Sequence, residues 1–387
     1  MTQPLLLRDA RIVTPAGVIP RGWLACRDGK IAAFGSGEAP EIEGAQAIDA
    51  RGLTLLPGFI DIHVHGGAGF EAMDATAEAL RCMAQLYARH GVTAFLATTW
   101  TDSRERIQAA LEAIAGSVGA QPDGATLLGA HVEGPYLNPA RCGAQSTLHI
   151  RRAEREEALV FLETGVVRLL ALAPEYPENH WLIRECAARG IAVSAAHTAA
   201  TYDDMRAAVE LGVTQATHTY NAMTGLHHRE PGTLGAALTL PQLRCEVIAD
   251  NIHVHPAAMK LVALAKGADG VILITDAMRG TGMPEGEYQI DERTVTVKDG
   301  AVRLPDGTLA GSALTMDRAL RNFAAAADQP FETLWRASSL NAARSIGVSA
   351  SKGSIEIGKD ADLVLVNADV DVHLTIAEGR IVYSEGL

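Results

Sequence analysis

His63 and His65 stand two apart in the run Pro57-Gly58-Phe59-Ile60-Asp61-Ile62-His63-Val64-His65-Gly66. In a strand, residues two apart share a face, so both imidazoles can reach one ion. Glu133 lies in His131-Val132-Glu133-Gly134-Pro135, where a carboxylate at a buried strand end is costly unless it is paired or bound to a metal. His131 beside it reads as a packing or supporting histidine. His197 follows Val193-Ser194-Ala195-Ala196, and His218 lies in Ala216-Thr217-His218-Thr219-Tyr220. Either one alone would read as a satisfied core histidine. Together with Glu133 they form a three-ligand set that leaves a position open for water, as catalytic zinc requires. Iron, cobalt and manganese suit the same donors, so zinc is favoured without excluding them. Asp276, in Ile274-Thr275-Asp276-Ala277-Met278, supplies a general base. A metal can lower the pKa of bound water from about 16 to about 7. A nearby carboxylate can then take the proton and return it to a leaving amine.

These residues fall where apolar runs stop, which points to the elements that must carry them. Candidate strands are Leu53–His63, Val92–Thr98, Ala125–His131, Val166–Ala173, Ile191–Ala196, Gln215–Thr219, Arg244–Ile248 and Val271–Thr275. Amphipathic helix patterns lie between several of them, at Ala75–Arg89, Arg152–Glu163 and Tyr202–Leu211. Thr201 is placed to cap the last of these, and Pro256 to open another helix. Eight strand–helix units predict an α/β fold with a closed (β/α)8 TIM barrel, whose strand ends gather around one mouth. A doubly wound open sheet is the rival, weakened because no glycine-rich phosphate fingerprint follows the first strand. Both ends of the chain are β-rich: Trp23–Arg27 and Lys30–Phe34 flank Asp28-Gly29, and Ala361–Val366 and Arg380–Tyr383 resemble them. They predict a small β-sandwich domain assembled from both termini. The expected divisions are residues 1–56 and 349–387 for that domain and 57–348 for the barrel.

Composition bounds the partners. The chain has 387 residues, 48% of them apolar, enough for a large domain plus a smaller one. Its formal charge of −13 argues against nucleic acid and against an anionic membrane surface. An anionic small substrate would need local cations to hold it. The cysteines, Cys26, Cys82, Cys142, Cys186 and Cys245, are odd in number with no close pair, which argues against a disulfide framework or a zinc ribbon and for the cytoplasm. The apolar run near the start is broken by Arg8 and Asp9 and does not read as a signal peptide.

Taken together, these segments resemble the amidohydrolase superfamily and, within it, the N-acetylglucosamine-6-phosphate deacetylases. The likeness runs through nearly the whole chain. It is carried most by Pro57–Gly66, His131–Asn138, Ser194–Thr198, Ala216–Met223, Arg229–Gly232, Ile248–Val254, Thr275–Ala277 and Leu309–Met316. The resemblance implies Glu133, His197 and His218 as ligands of the main metal, His63 and His65 as ligands of a second ion, and Asp276 as acid–base. It implies hydrolysis of the acetamide of a phosphorylated amino sugar by metal-bound hydroxide. Asn221 and Ala222 match a turn that touches sugar and phosphate, and Arg229 and His253 match phosphate ligands. Arg229 would act across a homodimer interface, near the partner subunit's site. Ala144, Asp250 and the segment Leu309-Ala310-Gly311 fall in the substrate-contacting stretches. Gln145 departs from the pattern, since many members carry a histidine there; it can hydrogen-bond but cannot become cationic near neutral pH. An N-acetylgalactosamine-6-phosphate or other N-acyl substrate is the alternative within enzymes. A non-catalytic scaffold is the alternative of another class, and such proteins typically lose the metal ligands kept here.

Overall fold

The structure is a computed structural model that describes residues 3–290 and 293–386. Eight strands, β1 (Phe59–Val64), β2 (Val92–Thr99), β3 (Thr126–Glu133), β4 (Val167–Leu172), β5 (Ala192–Ala195), β6 (Val213–Ala216), β7 (Arg244–Ile248) and β8 (Val271–Ile274), pair in chain order, all parallel. The two ends of this row meet: Val64 and Ala277 form a parallel bridge, and the amide of Asp276 donates to the carbonyl of His63 at 2.9 Å. The ring therefore closes beside the residues expected to do the chemistry, which fits a TIM barrel. Every residue of β2 is buried, as expected of a parallel strand covered on both faces.

Between strands run α1 (Ala77–Arg89), α2 (Arg104–Ala115), α3 (Arg155–Glu163), α4 (His180–Ala188), α5 (Tyr202–Leu211), α6 (Gly232–Thr239) and α7 (Pro256–Lys266). Helix α5 has the expected bounds, with Thr201 and Asp204 forming a reciprocal capping box. Helix α7 opens on Pro256, and the His255 side chain accepts from the amide of Ala257.

Two strand expectations are corrected. The run Leu53–His63 is not one strand: Thr54–Pro57 pairs with Leu363–Val366 in another sheet, and the barrel strand starts only at Phe59. Gly58 makes the break possible, since a Cβ there would sit 2.2 Å from the Thr93 side chain. The sixth strand is Val213–Ala216 instead of Gln215–Thr219, because His218, at φ 31°, cannot continue an extended strand.

Strands from both chain ends, Leu5–Thr14, Gly17–Arg27, Lys30–Ser36, Gln46–Asp49 and Thr54–Pro57 with Leu363–Val366, Val372–Ala377 and Arg380–Ser384, share one eight-stranded sheet. It has its own apolar cluster around Leu7, Ile12, Leu24, Leu55, Leu363 and Leu374. The strand pairing makes one connected sheet, because Thr54–Pro57 bonds to an N-terminal strand on one side and a C-terminal strand on the other. Lys352 ties the sheet down from beneath, its Nζ within 3.0 Å of Asp360, Asp362 and Glu378.

A sheet over the mouth was not expected from the sequence, although its last strand holds Leu309-Ala310-Gly311. After β8 the chain makes a four-stranded antiparallel sheet, Gly286–Ile290, Arg293–Lys298, Ala301–Arg303 and Leu309–Ser312, which leans over the barrel mouth. Its inner face packs Val295, Val297, Val302 and Ala310 against Met278. Among the described residues, no helix is long and apolar enough to cross a membrane.

Candidate active site

The barrel mouth holds a cavity of about 350 Å³. At its floor, Oε1 of Glu133 lies 3.2 Å from Nε2 of His197 and 3.2 Å from Nε2 of His218, and the two ring nitrogens are 3.2 Å apart. The three donors come from the ends of β3, β5 and β6, and all are buried. Nδ1 of His197 is 2.8 Å from the carbonyl of Arg141, and Nδ1 of His218 is 3.2 Å from that of Asn221. A carbonyl can only accept, so each Nδ1 carries the hydrogen and each Nε2 presents a lone pair inward. Two lone pairs and a carboxylate oxygen then face one another, an arrangement that a cation holds together. The donor set fits a tetrahedral ion, whose ligand atoms at about 2.0–2.1 Å would lie about 3.3 Å apart.

The other carboxylate oxygen of Glu133 faces a second group. Oε2 is 3.2 Å from Nε2 of His65 and 3.6 Å from Nε2 of His63, and those nitrogens are 3.3 Å apart. Oδ1 of Asp276 completes the group at 3.3 and 3.5 Å from the same two nitrogens, and makes no hydrogen bond among the described residues. Glu133 is thus positioned to bridge two ion sites.

Charges in this cluster oppose their burial. Burial pushes the Glu133 carboxyl up, but the charge of the neighbouring His63 holds it well below the usual range. Asp276 is lowered too, against burial, by His63 and His65. Burial works against a charged His63, yet Glu133 and Asp276 raise it well above its ordinary value. His131 goes the other way, kept neutral by burial and by His63, whose ring it meets edge-on at 4.6 Å. It packs rather than ligates, as expected.

Backbone geometry sets these side chains apart from ordinary strand ends. His197, His218 and Asp276 have φ of 43°, 31° and 51°, in the left-handed region that L-residues seldom occupy. Each turns the chain out of its strand at once and leaves the side chain over the mouth. Gly134 does the same at φ 79°, where a Cβ would meet Thr101 Oγ1 at 2.1 Å.

The cavity wall brings most of the expected contacts together: Ala144, Gln145, Asn221, Ala222, His253, Leu309 and Gly311 all line it. His253 is fixed by Asp250, whose Oδ2 takes Nδ1 at 2.6 Å while its Oδ1 accepts the His253 amide. Asp250 therefore stands behind the wall. Ala310 is fully buried and faces the core of the overlying sheet. Arg229 is exposed and outside the wall, with Nη1 2.7 Å from Nε2 of His228. Gln145 faces inward: its Oε1 accepts from the Thr101 amide at 2.9 Å and its Nε2 donates to Oε2 of Glu133 at 2.6 Å.

The chain is similar to known proteins along nearly its whole length. The sequence profile of the amidohydrolase family matches residues 54–382. The chain belongs to the amidohydrolase family. It is 40% identical over 99% of its length to the N-acetylglucosamine-6-phosphate deacetylase of Bacillus subtilis (strain 168), covering 98% of that protein. It is 38% identical over 97% of its length to an N-acetylgalactosamine-6-phosphate deacetylase of Escherichia coli O157:H7, covering 98% of it. A solved structure of a mutant N-acetyl-D-glucosamine-6-phosphate deacetylase from Mycobacterium smegmatis, in complex with N-acetyl-D-glucosamine-6-phosphate, superposes with a TM-score of 0.92. Identity there is 30%, covering 99% of this chain and all of that one.

This amidohydrolase also has site residues that sequence reasoning passed over. Trp100, just past the end of β2, stacks on His65 with ring centroids 3.8 Å apart and lines the cavity. Its place after an apolar strand is the signal that found the histidines. Arg303 reaches the cavity from the sheet above it, with Gly307 and Thr308. Arg303 itself carries no such signal; only Leu309-Ala310-Gly311, on the strand paired with it, was placed at the mouth by resemblance.

Proposed function

We propose that this enzyme hydrolyses the acetamide of N-acetyl-D-glucosamine 6-phosphate to D-glucosamine 6-phosphate and acetate. What carries the reading is Glu133, His197 and His218 converging at 3.2 Å beside an unpartnered Asp276 oxygen, in a chain whose relatives bear that activity in their names. The donor set supports a divalent ion, zinc first, with iron, cobalt or manganese as substitutes, and His63 and His65 support a second. When bound, such an ion supplies a Lewis acid for the amide carbonyl and lowers the pKa of water.

The chain's own groups do the rest. Asp276 Oδ1, free of hydrogen bonds at the cavity floor, takes the proton from the attacking water and returns it to the departing amine. His253, with Nδ1 held by Asp250, keeps Nε2 for a phosphate oxygen. Leu309 and Gly311 cover the sugar from above, and Asn221 and Ala222 face it from the turn after β6. Arg229 adds a guanidinium from the partner subunit of a homodimer; its exposed place outside this chain's own cavity supports that arrangement. We read residues 1–56 and 349–387 as one small domain and 57–348 as the catalytic one. The five free cysteines support a reducing, cytoplasmic setting.

The test is acetate release from the phosphorylated and unphosphorylated sugars with zinc present. Strong preference for the phosphorylated sugar is expected, with Asp276→Asn lowering kcat about 100-fold or more while the metal stays bound. Equal turnover of both sugars would remove the phosphate from the reading. The Escherichia coli relative favours one second reading, the 4-epimer N-acetylgalactosamine 6-phosphate, and assaying both epimers side by side decides between them.

A further inference from the structure

Glu246 sits on β7, below the floor of the cavity, and is completely buried. No step above uses it. Its surroundings fix which way each hydrogen bond runs. A carboxylate accepts, so the amide nitrogen of Gln215 donates to Oε1 of Glu246 at 2.7 Å. With Nε2 so placed, Oε1 of Gln215 faces the Ser345 hydroxyl, which donates to it. The chain of contacts starts at the end of the short helix Leu340–Ser345, crosses β6 and ends on β7.

The far oxygen of Glu246 is the informative atom. Oε2 is buried and has no hydrogen-bond partner among the described residues, and the same is true of Nδ1 of His63. These two orphans face each other across 3.7 Å. Burying a polar atom without a partner is costly, and a closure of a few tenths of an ångström would satisfy both. His63 has its Nε2 turned the other way, toward Glu133, His65 and Asp276.

We propose that Glu246 is a positioning residue that holds the hydrogen of His63 on Nδ1, so that Nε2 is offered to the cavity as a lone pair. The proposal rests on reading His63 as a metal ligand. His197 and His218 have backbone carbonyls in this role. Nδ1 of His63 has no carbonyl partner among the described residues and faces a buried carboxylate instead. Supporting groups of this kind are worth about 10- to 100-fold in metal affinity.

Glu246→Gln tests it with little change of shape. Gln215 still donates to the new amide oxygen, so the new NH2 points at His63 Nδ1 and drives the ring hydrogen to Nε2. Zinc titrated calorimetrically into metal-free protein is expected to bind the ion touching His63 at least tenfold more weakly. The ion at Glu133, His197 and His218 keeps its affinity, a selectivity that a merely structural role would not produce. Histidine-selective 15N spectra of the zinc-loaded wild type give a second readout, one that requires no variant to fold: His63 is expected to carry its hydrogen on Nδ1. Wild-type zinc affinities in Glu246→Gln, or a His63 without an Nδ1 hydrogen in the wild type, would overturn the proposal. Acetate release by the wild type is scored separately, so a failure here leaves the reaction standing.

Discussion

His197, His218 and Asp276 each hold a strained backbone angle at the end of a different strand. Left-handed conformations cost about 1–3 kcal/mol apiece in residues with a side chain, and they persist where the surrounding fold over-determines them. Three of them facing one cavity mark a place where stability is traded for position. Gln145 belongs to the same scale. It stands where many relatives are expected to have histidine, and its amide spans the Thr101 amide and Glu133 Oε2. Its effect should therefore pass through Glu133. Gln145→Ala is expected to lower kcat/KM about 10- to 100-fold and to weaken zinc binding as well, read by acetate release and by calorimetric titration. A rise in KM alone, with zinc affinity unchanged, would mean that Gln145 touches only the sugar. Arg229→Ala is expected to raise KM for the phosphorylated sugar at least tenfold and leave the unphosphorylated one unaffected; unchanged selectivity would remove Arg229 from the phosphate site.

Elements set how far those residues can be trusted to hold their places. Thr201 caps α5 on the outside of the barrel, so Thr201→Ala should cost about 1 kcal/mol in a urea melt while kcat stays at the wild-type value. Gly134 is the opposite case. It ends β3 directly after Glu133, and a methyl there would meet Thr101 2.1 Å away at a φ that disfavours side chains. Gly134→Ala should cost about 2 kcal/mol or more and lower activity together with stability, since Thr101 also anchors Gln145. Most barrel elements were legible: α5 and its cap, the start of α7, and the strands that end at Glu133 and His197. Others were legible only in part. Leu53–His63 reads as a continuous apolar run because both of its halves are buried, in two different sheets. Periodicity reports burial and cannot say which sheet provides it.

At the scale of the whole molecule, the terminal sheet and the barrel are packed tightly enough to change the chemistry of their thiols. Burial pushes Cys26 in the sheet and Cys186 on α4 up to about 12, and Cys245 on β7 up to about 11, from an ordinary 9.0. Because the folded state keeps these protons longer than the unfolded chain, their contribution is complete below pH about 9. It is lost as pH rises from there through about 11 to 12. Urea midpoints should therefore fall steadily over that range. A thiol reagent at pH 8 should label Cys82 and Cys142, which are partly exposed, and reach all five cysteines only after unfolding. Rapid labelling of Cys245 in the folded protein would contradict the packing around β7.

The sequence by itself determined the chemistry on offer: which side chains can hold an ion, which can move a proton, and that each stands at the end of an apolar run. It also determined that both chain ends are β-rich and that strands and helices alternate between them. What only the tertiary structure decided is who meets whom. Glu133 and His218 are 85 residues apart in the chain and 3.2 Å apart in the fold because the strands close in a ring. No local pattern encodes that closure. The same holds for Arg303, brought over the mouth by a sheet whose own turns say nothing of where it leans. It holds again for Glu246, an apolar strand's one carboxylate, whose partner His63 lies 183 positions earlier in the chain. Residue type fixes what an atom can do, and only the packing of distant segments fixes what it faces.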